Sequence, residues 1–340
     1  MNLNLDTVKG NWIIVKRMFW LSLASVLSAS CFAEQHPGAE AFAQKAAAEY
    51  QLDEQQVLEV LQQARFKQSI VDAISRPAEG KPWYLYRPIF LTQERIDGGV
   101  TFWRENESRV AAAAEKFQVD PQIIVSIIGV ETYYGRITGN YRVLDALVTL
   151  SFYYPENLRD RSEFFSKELM NFLVLAQAED IPVDEVTGSY AGAMGLGQFM
   201  PSSYIEYAVD LDGDERRDLW SSLDDIIGSV ANYLHRHGWE YGEPVVYPIT
   251  LAEGANLELV ADRDYKPQQS MADITAGGFI SATPVADDTL VSVIELEEED
   301  ASAYWLGFKN FYVITRYNRS PLYAMAVYQL SEEILQGMAE

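Results

Sequence analysis

Apolar residues recur at helical spacing through most of the first 240 positions, then give way after Gly242 to short β-branched runs. The densest block is D-P-Q-I-I-V-S-I-I-G-V-E-T-Y-Y-G, residues 120–135. Ile123, Ile124, Val125, Ile127, Ile128 and Val130 surround the axis, which predicts a buried helix. Asp120 is expected to cap its first N–H groups, Pro121 suits the first helical position, and Gly135 suits a stop. Glu131 falls in the last turn, where burial and the negative helix end should both disfavour the carboxylate. A carboxyl kept protonated is what a general acid needs; the alternative is an ordinary, partly exposed helix-end residue.

The same spacing predicts short helices over 34–75, broken at Arg76-Pro77, and a long helix from Thr92, where T-Q-E-R suits a capped start. Further helices are expected from Val143 to a stop at Pro155, over 162–178, from Pro201, over 224–239 and over 321–338. The last offers Met325, Val327, Leu330 and Leu335 for burial. K-P-W-Y-L-Y-R-P-I-F, residues 81–90, holds two prolines and reads as an extended, ring-rich segment. V-V-Y-P-I-T-L, N-L-E-L-V, T-L-V-S-V-I-E-L and F-Y-V-I-T-R-Y read as strands. The fold class is therefore mainly α (α+β), with a small β-rich unit late in the chain.

Two loops carry candidate chemistry. G-S-Y-A-G-A-M-G-L-G-Q-F-M-P-S-S-Y, residues 188–204, implies close approach of backbone to something. Nucleotide phosphate is excluded, since no hydrophobic strand precedes the glycines and no Walker lysine follows. D-L-D-G-D-E-R-R-D-L-W-S-S-L-D, residues 210–224, puts Asp210, Asp212 and Asp214 at positions 1, 3 and 5 of a calcium loop, with the Arg216 carbonyl at position 7. Glu215 stands where glycine is usual and Ser221 where a bidentate glutamate is usual, so Asp224 is the candidate to close a longer loop; a solvated acidic turn is the alternative. His235 and His237, two apart on a helix, point in different directions and are not a metal pair.

Composition narrows the classes. The 340 residues carry a formal net charge of −24, which argues against nucleic acid as a partner. Aromatic residues make up 12% of the chain, and rings stack on sugars as readily as they fill cores, although most of them must simply be core. The one cysteine, Cys31, excludes an intramolecular disulfide. It ends a run in which Lys16 and Arg17 precede F-W-L-S-L-A-S-V-L-S-A-S-C-F-A, the pattern of a secretory signal with cleavage after Ala33. Lipidation of Cys31, giving an outer-membrane lipoprotein, is the lesser alternative, because Leu27 lies one place too far upstream for a lipobox.

I-I-G-V-E-T-Y-Y-G, L-D-A-L-V-T-L-S-F-Y-Y-P, A-G-A-M-G-L-G-Q-F-M-P-S-S-Y, L-W-S-S-L-D-D-I-I-G-S-V-A-N-Y-L and R-Y-N-R-S-P-L-Y-A-M-A-V-Y together closely resemble the lytic murein transglycosylase B family of Gram-negative bacteria. The resemblance covers nearly all of the chain after the signal. It implies a signal segment at 1–33, a helical N-terminal domain at 34–115, a lysozyme-like core at 116–242, a small β-rich insertion at 243–310 and a segment at 311–340 returning to the core. It implies a periplasmic monomer, acting on peptidoglycan strands beside cell-wall synthesis proteins, that needs no cofactor for chemistry. The implied reaction is non-hydrolytic cleavage of the β-1,4 bond between N-acetylmuramic acid and N-acetylglucosamine, leaving a 1,6-anhydro ring, with Glu131 as acid and then base. Motif by motif, the resemblance assigns sugar contacts to Ser189, Gln198, Phe199, Tyr233, Tyr317, Asn318, Tyr323 and Tyr86; a satisfied core position is the alternative for each. Glu156 stands where basic residues are usual in the family, leaving only Arg159 or Arg161 for such a contact. The acidic loop matches an EF-hand-like loop, a structural Ca2+ site. The rivals are a hydrolytic muramidase, which needs a second carboxylate, with Asp145 the nearby candidate, or a positioned water opposite Glu131, and a non-catalytic peptidoglycan-binding or scaffolding protein.

Overall fold

The computed structural model describes residues 36–76, 80–261 and 264–340; the signal segment and Cys31 lie outside the described residues. Three short helices open the chain: α1 (Ala39–Tyr50), α2 (Glu54–Leu61) and α3 (Gln68–Ile74). They lean on the pair α8 (Val143–Phe152) and α9 (Ser162–Ala178). The segment with two prolines is not extended. It forms α4 (Trp83–Phe90), with Pro82 just before the helix and Pro88 inside it. Burial of Trp83 and Tyr86, stacked at 6.3 Å, outweighs the one backbone bond that Pro88 removes.

The long helix from Thr92 is two helices, α5 (Gln93–Glu105) and α6 (Glu107–Phe117). They part at Asn106, whose side-chain amide takes the Phe102 carbonyl at 2.9 Å and competes with the helical ladder. Thr92 caps the N–H of Arg95 at 3.3 Å. The third helical residue is Arg95 rather than a glutamate, so no reciprocal cap forms.

The apolar block becomes α7 (Pro121–Thr132), almost wholly buried between α14 (Pro321–Ala339), α5, α6 and α11 (Leu223–Arg236). Asp120 precedes α7 but does not cap it. Its carboxylate accepts from Trp239 Nε1 at 2.8 Å and from Gly242 N at 3.1 Å, tying the helix start to the chain beyond α11. On α14, Met325, Val327 and Leu330 are buried, whereas Leu335 is exposed and Ile334 takes the inward position.

The late β unit holds a five-stranded antiparallel sheet, ordered β4 (Gln269–Ser270), β6 (Leu290–Glu297), β7 (Ser302–Gly307), β3 (Val246–Leu251), β5 (Phe279–Ser281). Ile249, Ile274, Phe279, Val293 and Leu306 give it a core of its own, closed by α12 (Met271–Ala276). Two expected strands are absent. N-L-E-L-V forms a 3-10 turn at Leu257–Leu259, held by Asn256 accepting from Glu258 N at 3.1 Å. F-Y-V-I-T-R-Y is helix α13 (Lys309–Tyr317), which buries Phe311, Val313 and Ile314; packing against α14 and α11 overrides the β-branched preference. The main apolar core runs from α1 through α14, and the described residues form one compact unit.

Candidate active site

Glu131 is carried one residue before the end of α7 and is half-buried. The chain leaves that helix through an unusual turn. Tyr133, Tyr134 and Gly135 all have positive φ (53°, 58° and 86°), a region costly for side-chain-bearing residues. Several contacts hold it. Gly135 N donates to Thr132 Oγ1 at 3.1 Å, and Thr132 Oγ1 donates to Leu196 O at 3.0 Å, joining the helix end to the glycine loop. Tyr134 turns back into the core and donates to Arg95 O at 2.9 Å. Its ring fits only because position 129 is glycine: a Cβ there would meet the Tyr134 hydroxyl at 2.5 Å. The Arg95 guanidinium donates to Gly129 O at 2.5 Å and lies 4.6 Å from the Tyr133 ring centre, placing a cation at the negative end of α7. None of Arg95, Thr132 or Tyr134 was expected at the site. Arg95 carries no local signal, since its acceptor lies 34 positions away.

From the opposite side α14 delivers Tyr323, whose hydroxyl donates to Glu131 Oε1 at 2.6 Å. Burial, then the nearby Glu131 charge, push the Tyr323 and Tyr317 hydroxyls well above the usual phenol range. Tyr323 is therefore a donor at every working pH. Tyr317, at the end of α13, stacks on Tyr323 at 6.5 Å and donates to Gly197 O at 2.6 Å. Ser320 caps α14 and Ser320 N donates to Asn318 O at 2.7 Å, so the turn carrying the half-buried Asn318 is fixed between two helices.

The glycine loop closes the third side. It starts from β2 (Thr187–Gly188), paired with β1 (Tyr141–Arg142), and ends at α10 (Pro201–Tyr207). Met194 and Phe199 exchange backbone hydrogen bonds at 2.9 and 3.0 Å, making a tight hairpin with Gln198 at φ 50°. The Gln198 amide donates to Thr138 O at 3.2 Å and Gly195 O at 3.0 Å. Ser189 Oγ accepts from Ala193 N at 3.0 Å, holding the near end of the loop.

Not every expected sugar contact lies at the surface. Phe199, 2% exposed, sits 5.8 Å from both Tyr233 and Tyr317 inside an aromatic cluster. Tyr233 is 7% exposed and donates to Arg316 O at 2.6 Å. Tyr86 is 1% exposed, because the helical form of α4 turns it inward onto Trp83 and Phe90. Phe199 and Tyr86 are thus core rings, whereas Glu131, Ser189, Gln198, Tyr317 and Asn318 are half-buried. Asp145 is 2% exposed, accepts from Arg65 N at 2.9 Å and pairs with Arg142 at 3.4 Å. It is a structural carboxylate.

In the acidic loop, carboxylate oxygens of Asp210, Asp212 and Asp214 lie within 4.8 Å of one another. Glu215 takes the left-handed turn (φ 69°) usually left to glycine, and its N–H donates to Asp210 at 2.9 Å. Three convergent carboxylates fit a hard divalent cation. Asp224, expected to close the loop, is engaged elsewhere, accepting from Arg109 Nε at 2.7 Å. The neighbouring Asp225, fully buried, instead braces the loop by accepting from Leu211 N and Asp218 N, both at 2.8 Å. The loop reaches the active site through Leu196 N, which donates to Leu219 O at 2.9 Å.

Comparison with known proteins shows the family. A family profile described as the transglycosylase SLT domain matches residues 34–332. Membrane-bound lytic murein transglycosylase B of Escherichia coli K12 is 41% identical over 309 residues, 88% of this chain and 83% of that protein. The soluble lytic transglycosylase SltB1 of Pseudomonas aeruginosa superposes with a TM-score of 0.81 at 46% identity, covering 89% of this chain and all of that one. Slt35 of E. coli, solved in complex with calcium, gives 0.79 at 39% identity over 90% and 95% of the two chains. SltB3 of P. aeruginosa, solved with NAG-anhNAM-pentapeptide, gives 0.74 at 30% identity over 87% and 78%. On the matched profile, the sequence identity and the superposition, this chain belongs to the SLT-domain lytic transglycosylases.

Proposed function

We propose that this lytic transglycosylase cleaves the β-1,4 bond between N-acetylmuramic acid and N-acetylglucosamine with Glu131 as its single acid–base group. The observation that carries the reading is the 2.6 Å contact from Tyr323 to Oε1 of the half-buried Glu131. With Oε1 accepting from Tyr323, the transferable proton sits on Oε2. Glu131 gives that proton to the leaving glycosidic oxygen as an oxocarbenium-like state develops. The resulting carboxylate then takes the proton of the muramoyl C6 hydroxyl as that oxygen closes on C1. The product is a 1,6-anhydro sugar, with neither water nor a protein nucleophile consumed. A retaining or inverting hydrolase needs a second carboxylate across the bond. Asp145, the candidate for that role, is held by Arg65 and Arg142. Gln198, Asn318 and Ser189 hold the sugar, and Phe199, Tyr233 and Tyr86 set the shape behind it. Acid–base help of this kind is worth about 10²–10⁴-fold in rate.

The acidic loop is proposed to hold Ca2+ through Asp210, Asp212, Asp214 and the Arg216 carbonyl, a structural role apart from the chemistry. The calcium complex of a relative supports this. The working compartment is proposed to be the periplasm, beside murein and its synthesis proteins; no described helix is long and apolar enough to cross a membrane. Mass spectrometry of digested murein tests the reaction. Anhydro-muramoyl ends are expected, and reducing ends in their place would favour the muramidase.

A further inference from the structure

A second concavity lies beside the glycine loop. It encloses about 380 Å3 between the segment after α9 and the tail of the acidic loop. The half-buried Trp220 and the buried Tyr204, with ring centres 5.8 Å apart, line it. Arg217 is neutralised by Glu179 in an ion pair, with Nε to Oε1 at 3.1 Å. Arg216, exposed on one wall, also feels the Asp218 carboxylate, and the exposed Asp180 and Glu185 line the other wall.

The walls are built rather than floppy. Asp218 accepts from Trp220 N at 2.8 Å and Ser221 N at 2.9 Å, and the Tyr204 hydroxyl donates to Arg217 O. The cavity also abuts the sugar site. Thr187 lines it, and Ser189 is two residues further on, at most ~7 Å along the chain.

The geometry points to a binding site for the peptide branch of the murein strand, a chain carrying both a free amine and carboxylates. Glu185 and Asp180 receive the amine, Arg216 a carboxylate, and the aliphatic stems lie on Trp220. Opposite charges across one cleft select a zwitterion over a neutral sugar, whose hydroxyls gain little from them. A five-residue peptide spans at most ~18 Å when extended, enough to run from a muramoyl unit near Ser189 into this cleft. The site rests on the murein reading above, so the test separates the two.

The probe is a synthetic murein pentapeptide with one free amine and a free terminal carboxylate, titrated calorimetrically into full-length protein bearing Glu131→Gln. Binding is expected, and adding Glu185→Lys or Trp220→Ala should weaken it about tenfold or more. Glu185→Lys is an exposed change that leaves the core intact. In the otherwise native enzyme it should slow cleavage of peptide-bearing strands while leaving denuded strands unchanged. No binding, equal binding by the variants, or equal slowing on both strand types would overturn the site and leave the transglycosylase reading standing. Failure of the wild type to give anhydro ends from either strand would instead remove the murein reading.

Discussion

In the proposed mechanism Glu131 works with a partner 192 positions away, the Tyr323 hydroxyl at 2.6 Å. A hydrogen bond to a charged group is worth about 1.5–3 kcal/mol, so Tyr323→Phe should lower kcat by roughly 10- to 100-fold with the anhydro product retained. Steady-state kinetics on purified murein checks this; an unchanged kcat would mean that Tyr323 does not orient the acid. Glu131→Gln should lose about 10²–10⁴-fold, measured by release of anhydro ends. Glu131 was legible as a candidate because it ends an apolar run, a local signal. Tyr323, Tyr317 and Asn318 came through the family resemblance, since nothing local marks one tyrosine out of 20. Arg95 and Tyr134 were invisible, because each acts by folding back onto a carbonyl remote in sequence.

The elements that carry these residues are held by specific fits. Tyr134 is seated where a Cβ on Gly129 would approach its hydroxyl to 2.5 Å. Gly129→Ala should overpack this slot, cost about 1–3 kcal/mol and lower the melting temperature, with activity falling as the turn after Glu131 shifts. An unchanged melting temperature would show that the slot relaxes. At the end of α11, His237 stacks on Tyr233 at 4.2 Å and contacts Tyr233 O through Nδ1 at 2.7 Å. Burial, with Arg316 and Arg236 nearby, pushes its pKa below the ordinary 6.5. The unfolded chain therefore takes the proton first, and this contribution is complete above pH 6.5 and is lost as pH falls below it. Thermal scans between pH 7 and 5 should show a steeper loss in the wild type than in His237→Gln; parallel curves would remove His237 from the account. Two of the misread segments, 81–90 and 311–317, erred for one reason. Proline count and β-branching are local preferences, and burial of Trp83, Tyr86, Phe311 and Ile314 decided against them.

For the whole molecule, the acidic loop is the test of how remote parts are joined. It connects to the glycine hairpin through Leu196 and Leu219, and to the buried Asp225. If Ca2+ binds the native loop alone, a concentration 100 times its Kd adds about 2.7 kcal/mol of stability. Calcium should then raise the melting temperature by several degrees over EDTA, and Asp212→Asn should remove most of the increment. No difference between calcium and EDTA would make this a solvated acidic turn. The fold class, the late β unit and helices such as 162–178 were readable, because each has a strong period over many residues.

By itself the sequence determined the buried α7, its terminal glutamate, the glycine loop and the three aspartates at alternate positions. Such patterns are set by neighbours along the chain, where side-chain period and backbone preference act directly. Only the tertiary structure decided which rings are core and which are half-buried. It likewise showed that Asp120 accepts from Trp239 rather than capping α7, and that Asp224 pairs with Arg109. The physical reason is that a polar group takes the partner that burial leaves within reach, and that partner is chosen by packing between elements far apart in the chain.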